Sequence, residues 1–139
     1  MTKDAAERTA RCNCGGLAVT VRGEPTDVYG CSCAACQRDT GSVFSYAALY
    51  PETAVTVAGE PTVWRRHGEA GRWIDNAFCP VCGGTVFFRM EAFPDIVGVS
   101  VGCFADPEFA PPARLFWAST RHNWVALPAE VELIATQPG

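Results

Sequence analysis

Eight cysteines among 139 residues are the part of this sequence best equipped for chemistry. Seven fall into three short clusters: Cys12-Asn13-Cys14-Gly15-Gly16, Cys31-Ser32-Cys33-Ala34-Ala35-Cys36 and Cys79-Pro80-Val81-Cys82-Gly83-Gly84. Cys103 stands apart, inside the apolar run Val99-Ser100-Val101-Gly102-Cys103-Phe104. A Cys-x-Cys pair cannot close a disulfide on itself without severe strain in its loop. Thiols spaced this closely are better read as ligands for a soft metal ion, zinc first.

The third cluster has the form of a zinc knuckle. A Cys-Pro-x-Cys-Gly turn projects two thiolates to one side, with backbone N–H groups aimed at the sulfurs, and the following glycine permits the positive φ of so close a turn. A structural zinc takes four ligands in a tetrahedron, so the knuckle needs two more. Cys12 and Cys14, also followed by a glycine pair, are its natural other half, which gives a closed Cys12, Cys14, Cys79, Cys82 site. Apparent zinc affinities at such sites are on the order of 10–16 kcal/mol, as large as a domain's net stability, so metal binding and folding are coupled.

The second cluster offers three thiolates and no local fourth ligand. Three protein ligands and one free position are the form of a catalytic zinc site, which can take up a thiol as its thiolate or polarise a carbonyl. The spacing fits two readings equally: the site is open, or Cys103 closes it as a second four-cysteine centre. An iron–sulfur cluster on Cys31, Cys33, Cys36 and Cys103 is a third, although the C-x-C-x-x-C spacing departs from the usual ones. Taken alone, Cys103 reads as a small buried hydrophobe.

The elements that must position these cysteines read as mostly β. Glycine and proline punctuate the chain, with apolar β-branched segments between them. Strands are expected over 17–22, 43–50, 55–57, 62–66, 72–78, 85–90 and 96–104, with 115–118 and 131–135 closing the sheet. The only helix expected is a turn or two over 34–40, stopped by Gly41 in the left-handed conformation. Residues 1–10 read as a flexible tail and 11–135 as one domain.

Composition narrows the class of function. Nearly half the residues are apolar (48%) and 19% are charged, which suits a folded domain. A net charge of −4 argues against a nucleic-acid surface. No apolar run approaches the roughly 20 residues needed to span a bilayer. The polar N-terminus lacks the apolar core of a secretory signal, so a cytoplasmic location, where thiols stay reduced, is expected.

Together the motifs resemble the glutathione-dependent formaldehyde-activating (S-hydroxymethylglutathione synthase-like) family. The resemblance is carried by C-x-C-G near the start, by C-x-C-x-x-C followed by Thr40-Gly41-Ser42, by Phe78-Cys79-Pro80-Val81-Cys82-Gly83, by Gly102-Cys103-Phe104-Ala105-Asp106-Pro107 and by Arg121-His122-Asn123-Trp124. It runs from about residue 11 to residue 126. It implies a β-tent (Mss4-like) fold of small antiparallel sheets pinned by a structural zinc. It also implies two zinc ions, one on Cys12, Cys14, Cys79 and Cys82 and an open, active one on Cys31, Cys33 and Cys36. The implied activity is that of a carbon–sulfur lyase joining glutathione, or a similar thiol, to formaldehyde or another small aldehyde. Members usually carry a small residue at the position of Cys103, so the resemblance does not require a ligand there.

Two other functions fit the same residues, namely a non-catalytic thiol carrier and a structural zinc domain that binds another macromolecule. No general base stands out. His67 reads as a solvated turn residue, and His122, beside Trp124, as structural. Arg38 is a candidate partner for a substrate carboxylate, though Gln37 and Arg38 read first as solvent-exposed. Trp64, Trp73, Trp117 and Trp124 read as core residues before pocket residues.

Overall fold

A computed structural model describes residues 6–68 and 70–137. The chain is mostly β, as its patterning predicts, with one short helix. Strands β1 (Glu7–Arg11), β2 (Ala18–Arg22) and β5 (Val55–Ala58) form a three-stranded antiparallel sheet in the order β1-β2-β5. The remaining strands are β3 (Asp27–Cys31), β4 (Ser45–Pro51), β6 (Thr62–His67), β7 (Trp73–Phe78), β8 (Thr85–Met90), β9 (Phe93–Ser100), β10 (Arg114–Phe116) and β11 (Glu132–Leu133). They form one eight-stranded sheet in the order β11-β10-β3-β4-β9-β8-β7-β6. This sheet is wider than the small antiparallel sheets expected, and it is mixed, because β10 runs parallel to both β3 and β11.

The core fills the space between the two sheets. Strand β2 shows why: Val19 and Val21 are fully buried while Ala18 and Thr20, on the other face, are not. Tyr50, Val86, Val97 and Val99 from the large sheet complete the same cluster. Each such side chain contributes about 1.5–3 kcal/mol by leaving water. A smaller cluster of Leu115, Ala118 and Val131 holds the C-terminal strands.

Residues 7–10, expected as tail, instead form most of β1, which pairs along β2 from Glu7↔Arg22 to Arg11↔Ala18. The polar sequence Glu-Arg-Thr-Ala-Arg hides this, since only Ala10 of the strand is buried. Residues 1–5 lie outside the described residues. Strand β3 was likewise absent from the sequence reading. The segment expected to be strand through residue 104 leaves the sheet after Ser100 and turns as a 3₁₀ helix, Val101–Phe104.

Helix α1 (Ala34–Thr40) lies where the sequence puts it, and Gly41 ends it at φ 64°. Its start is unusual in chemistry. The residue capping it is Cys33, whose sulfur accepts the Cys36 backbone N–H at 3.3 Å in the role usually taken by a Ser or Asp oxygen. Among the described residues, no helix is long and apolar enough to cross a membrane.

Candidate metal centres

Two hairpin tips, one from each sheet, build the first centre. Cys12 and Cys14 sit in the β1–β2 turn, and Cys79 and Cys82 in the β7–β8 turn. The two turns are alike: Gly15 and Gly83, each directly after the second cysteine, take φ of 78° and 80°. Cys12 N–H bonds the Leu17 carbonyl at 3.0 Å, and Cys79 N–H bonds that of Gly84 at 3.0 Å. Backbone donors converge on the sulfurs, with Leu17 N–H on Cys12 at 3.3 Å, Gly16 N–H on Cys14 at 3.4 Å and Val81 N–H on Cys79 at 3.4 Å.

The four sulfurs all lie within 4.8 Å of one another. Cys12 and Cys14 Sγ are 3.7 Å apart, and Cys14 and Cys79 Sγ 3.5 Å. A tetrahedral ion with Zn–S bonds near 2.3 Å asks for sulfurs about 3.8 Å apart, so the donor set fits zinc. Four thiolates at this distance repel one another unless a cation sits among them. The local fields are already uneven. Backbone donors from Cys14 and Gly84 lower the Cys82 thiol to about 6, whereas proton sharing with Cys79 and Cys12 overrides the Gly16 donor and leaves Cys14 raised to about 11.

The second centre is made by one short segment. Strand β3 ends on Cys31, and the chain turns through buried Ser32 into α1, which carries Cys36 in its first turn. The sulfurs of Cys31, Cys33 and Cys36 lie within 4.8 Å of one another, a spacing that also fits one soft cation. Hydrogen bonds from Cys31 and Cys36 lower the Cys33 thiol to about 2, while the same sharing and burial push Cys31 well up. Gln37, read from sequence as exposed, is a brace for this loop: its amide donates to the carbonyls of Ser32 at 2.8 Å and Thr120 at 3.3 Å. Its carbonyl meets His122 Nε2 at 2.9 Å, which gives His122 a structural partner.

Cys103 belongs to neither cluster. It lies on the 3₁₀ turn, its thiol donates to the Thr85 carbonyl at 3.4 Å, and the thiols that act on it are Cys12 and Cys82. Among the described residues no His, Cys, Asp or Glu joins the three-cysteine set as a fourth ligand. Of the two readings that the sequence left open, this placement favours the open one, since the turn after Ser100 sets the Cys103 thiol against Thr85, on the side of Cys12 and Cys82.

A cavity of about 1200 Å³ opens beside the three cysteines, walled by Phe44, Arg66, Trp73, Phe88 and Trp117 among others. Trp73 and Trp117 are thus pocket residues, while Trp64 and Trp124 are exposed, so none of the four is in the buried core. His67 and Arg38 are exposed. Sequence reasoning missed Arg66 and Asp39. Arg66 Nε pairs with Asp39 Oδ2 at 2.8 Å, Arg66 Nη2 approaches Cys36 Sγ at 3.8 Å, and Asn76 donates to the same Asp39 oxygen at 3.3 Å. The only local signal was Cys36 and Asp39 three residues apart on a helix, hence on one face.

Fold and sites together define a β-sheet protein with two cysteine clusters compatible with zinc, one of four thiols and one of three. The chain belongs to the family described as glutathione-dependent formaldehyde-activating enzyme, whose pattern it matches over residues 7–119. A crystal structure of a Rhodobacter sphaeroides protein has the same fold, with a TM-score of 0.54 and 22% identity over 75% of this chain and 91% of that chain. No curated protein matches the chain.

Proposed function

We propose that this protein is a zinc-dependent carbon–sulfur lyase of the S-(hydroxymethyl)glutathione synthase type, acting in the cytoplasm. In this reading Cys12, Cys14, Cys79 and Cys82 hold a structural zinc, and Cys31, Cys33 and Cys36 hold the zinc used for activity. The observation that carries it is the three-thiol cluster facing a cavity of about 1200 Å³ with no fourth side-chain ligand among the described residues. Cys31, Cys33 and Cys36 would hold the ion, and a zinc so held would supply a free position and stabilise a substrate thiol as its thiolate at neutral pH. The reaction would then form one bond, from the thiol sulfur to the aldehyde carbon, as the carbonyl π bond opens and its oxygen takes up a proton in place of the one the thiol released. The reverse reaction breaks that carbon–sulfur bond.

The chain's own residues supply the frame for this chemistry. The helix cap fixes Cys33 against the Cys36 backbone, and the Gln37 brace holds the loop to Thr120. Phe44, Phe88 and Trp117 add apolar walls to the cavity that the three cysteines also line. Membership of the family points to glutathione as the thiol and formaldehyde as the aldehyde.

The test is to load the protein with cobalt(II) and titrate glutathione while recording the visible spectrum. Glutathione should perturb the bands of one of two bound ions, and the loaded protein should raise the rate of hydroxymethylglutathione formation above the uncatalysed background. Perturbed bands with no acceleration would make the protein a thiol carrier. Unresponsive bands at both ions would overturn the reading and leave a structural zinc domain.

A further inference from the structure

The geometry points to Arg66 as a positioning residue of the three-cysteine centre, holding the Cys36 sulfur in place through an N–H···S contact that Asp39 and Asn76 aim. The inference rests on the reading of Cys31, Cys33 and Cys36 as a metal centre, and it does not depend on which thiol that centre serves.

Three observations support it. The first is reach: one guanidinium spans two residues a turn apart on α1, with Nε on Asp39 Oδ2 at 2.8 Å and Nη2 near Cys36 Sγ at 3.8 Å. A planar fork with donors in fixed directions on separate nitrogens matches these two acceptors, whereas a lysine ammonium presents its donors from a single point on a flexible stem. The second is confinement. With side-chain exposures of 14% and 21%, this is the least exposed ion pair among the described residues, and Asn76 fixes the carboxylate from β7. Neighbouring Arg65 shows the contrast: it is 51% exposed and pairs with Asp75 across the hairpin. The third is topology. Four strands lie between β3 and β6 in the large sheet. Arg66 nevertheless meets the helix that follows β3, so the sheet curves until its far edge touches the cysteine loop.

The physical effect follows from charge. Three thiolates around a divalent cation leave an excess negative charge, and an incoming thiolate adds another. A guanidinium donor on one ligand sulfur draws charge away from that sulfur and fixes its lone pairs in direction. Of the three ligands, Cys36 is the one that needs such a hold, because it sits on a helix of seven residues with none of them buried.

The test uses the full chain with cobalt(II) alone, before any thiol is added. In Arg66→Met, the sulfur-to-cobalt charge-transfer bands of the three-cysteine centre should shift, and its metal affinity by chelator competition should fall by about 10- to 100-fold. The bands of the four-cysteine centre should stay as they are, which reports an intact fold. Arg66→Lys should recover only part of the affinity, and Asp39→Asn should fall between the native chain and Arg66→Met. Unchanged bands and affinity in Arg66→Met would overturn the inference, as would full recovery in Arg66→Lys. Because no thiol is present, failure here is distinct from a failure of native protein to respond to glutathione.

Discussion

A single residue, Cys103, decides how the eight cysteines are shared out. In sequence it is equally a fourth ligand for the three-cysteine loop and a buried small side chain. In space its thiol is satisfied by the Thr85 carbonyl and lies toward Cys12 and Cys82. Cys103→Ser should therefore keep two metal ions per chain and an unaltered glutathione response, with metal analysis and the cobalt spectrum as the measurements. Loss of one ion would return Cys103 to the ligand set. Arginine 66 makes the opposite point. Nothing near it in sequence marks it out, because its partners Asp39 and Cys36 are 27 and 30 positions away. The cysteine clusters were legible because their spacing is local in sequence, whereas the residues that pack beside a sulfur are brought in by the fold.

Among elements, the junction of β5 with the first cysteine turn is the tightest. Gly59 follows β5 at φ 96°, and a Cβ there would stand 2.0 Å from the Gly16 carbonyl oxygen, two residues after Cys14. Gly59→Ala must shift backbone of the turn that also carries Cys12 and Cys14. A cost of at least about 2 kcal/mol is expected from the left-handed conformation and the clash together, read by denaturant unfolding, with weaker metal retention at the four-cysteine centre. Elements with a clear pattern were legible: β2, β7, β8, the helix and its glycine stop all fall where alternation and capping put them. β1 was not, since a polar edge strand buries one side chain and shows no alternation. Nor was the width of the large sheet, because the parallel pairing of β10 with β3 joins residues more than 80 positions apart, Arg114 with Tyr29 and Phe116 with Cys31.

For the whole molecule, the two centres stand in different relations to stability. The four-cysteine centre joins the tip of a small-sheet hairpin to the tip of a large-sheet hairpin, so its ligands bridge the two faces of the core. The three-cysteine centre draws on one continuous segment and bridges nothing. Graded chelation should therefore release zinc in two steps. The first, from Cys31, Cys33 and Cys36, should leave the far-ultraviolet circular dichroism unchanged. The second should bring cooperative unfolding, since the binding energy of a closed zinc site is of the order of a domain's whole stability. Zinc release recorded with an indicator dye alongside circular dichroism checks this, and a single step with simultaneous unfolding would contradict it.

The separation of ligands along the chain also sets an order in time. The three-cysteine loop is complete once residue 36 has been made, while Cys14 must wait for Cys79, 65 positions further on. At about 5–20 residues per second, synthesis leaves an interval of several seconds between these events. During that interval the nascent chain presents a three-thiol trap, plus two unclaimed thiols at Cys12 and Cys14, before any tetrahedral site exists. An ion taken up by these early thiols in the wrong combination would have to be released before the second hairpin closes. In the zinc-binding reading, the supply of free metal during synthesis, and not only the strength of the finished sites, would then bear on how much of this protein reaches its native state.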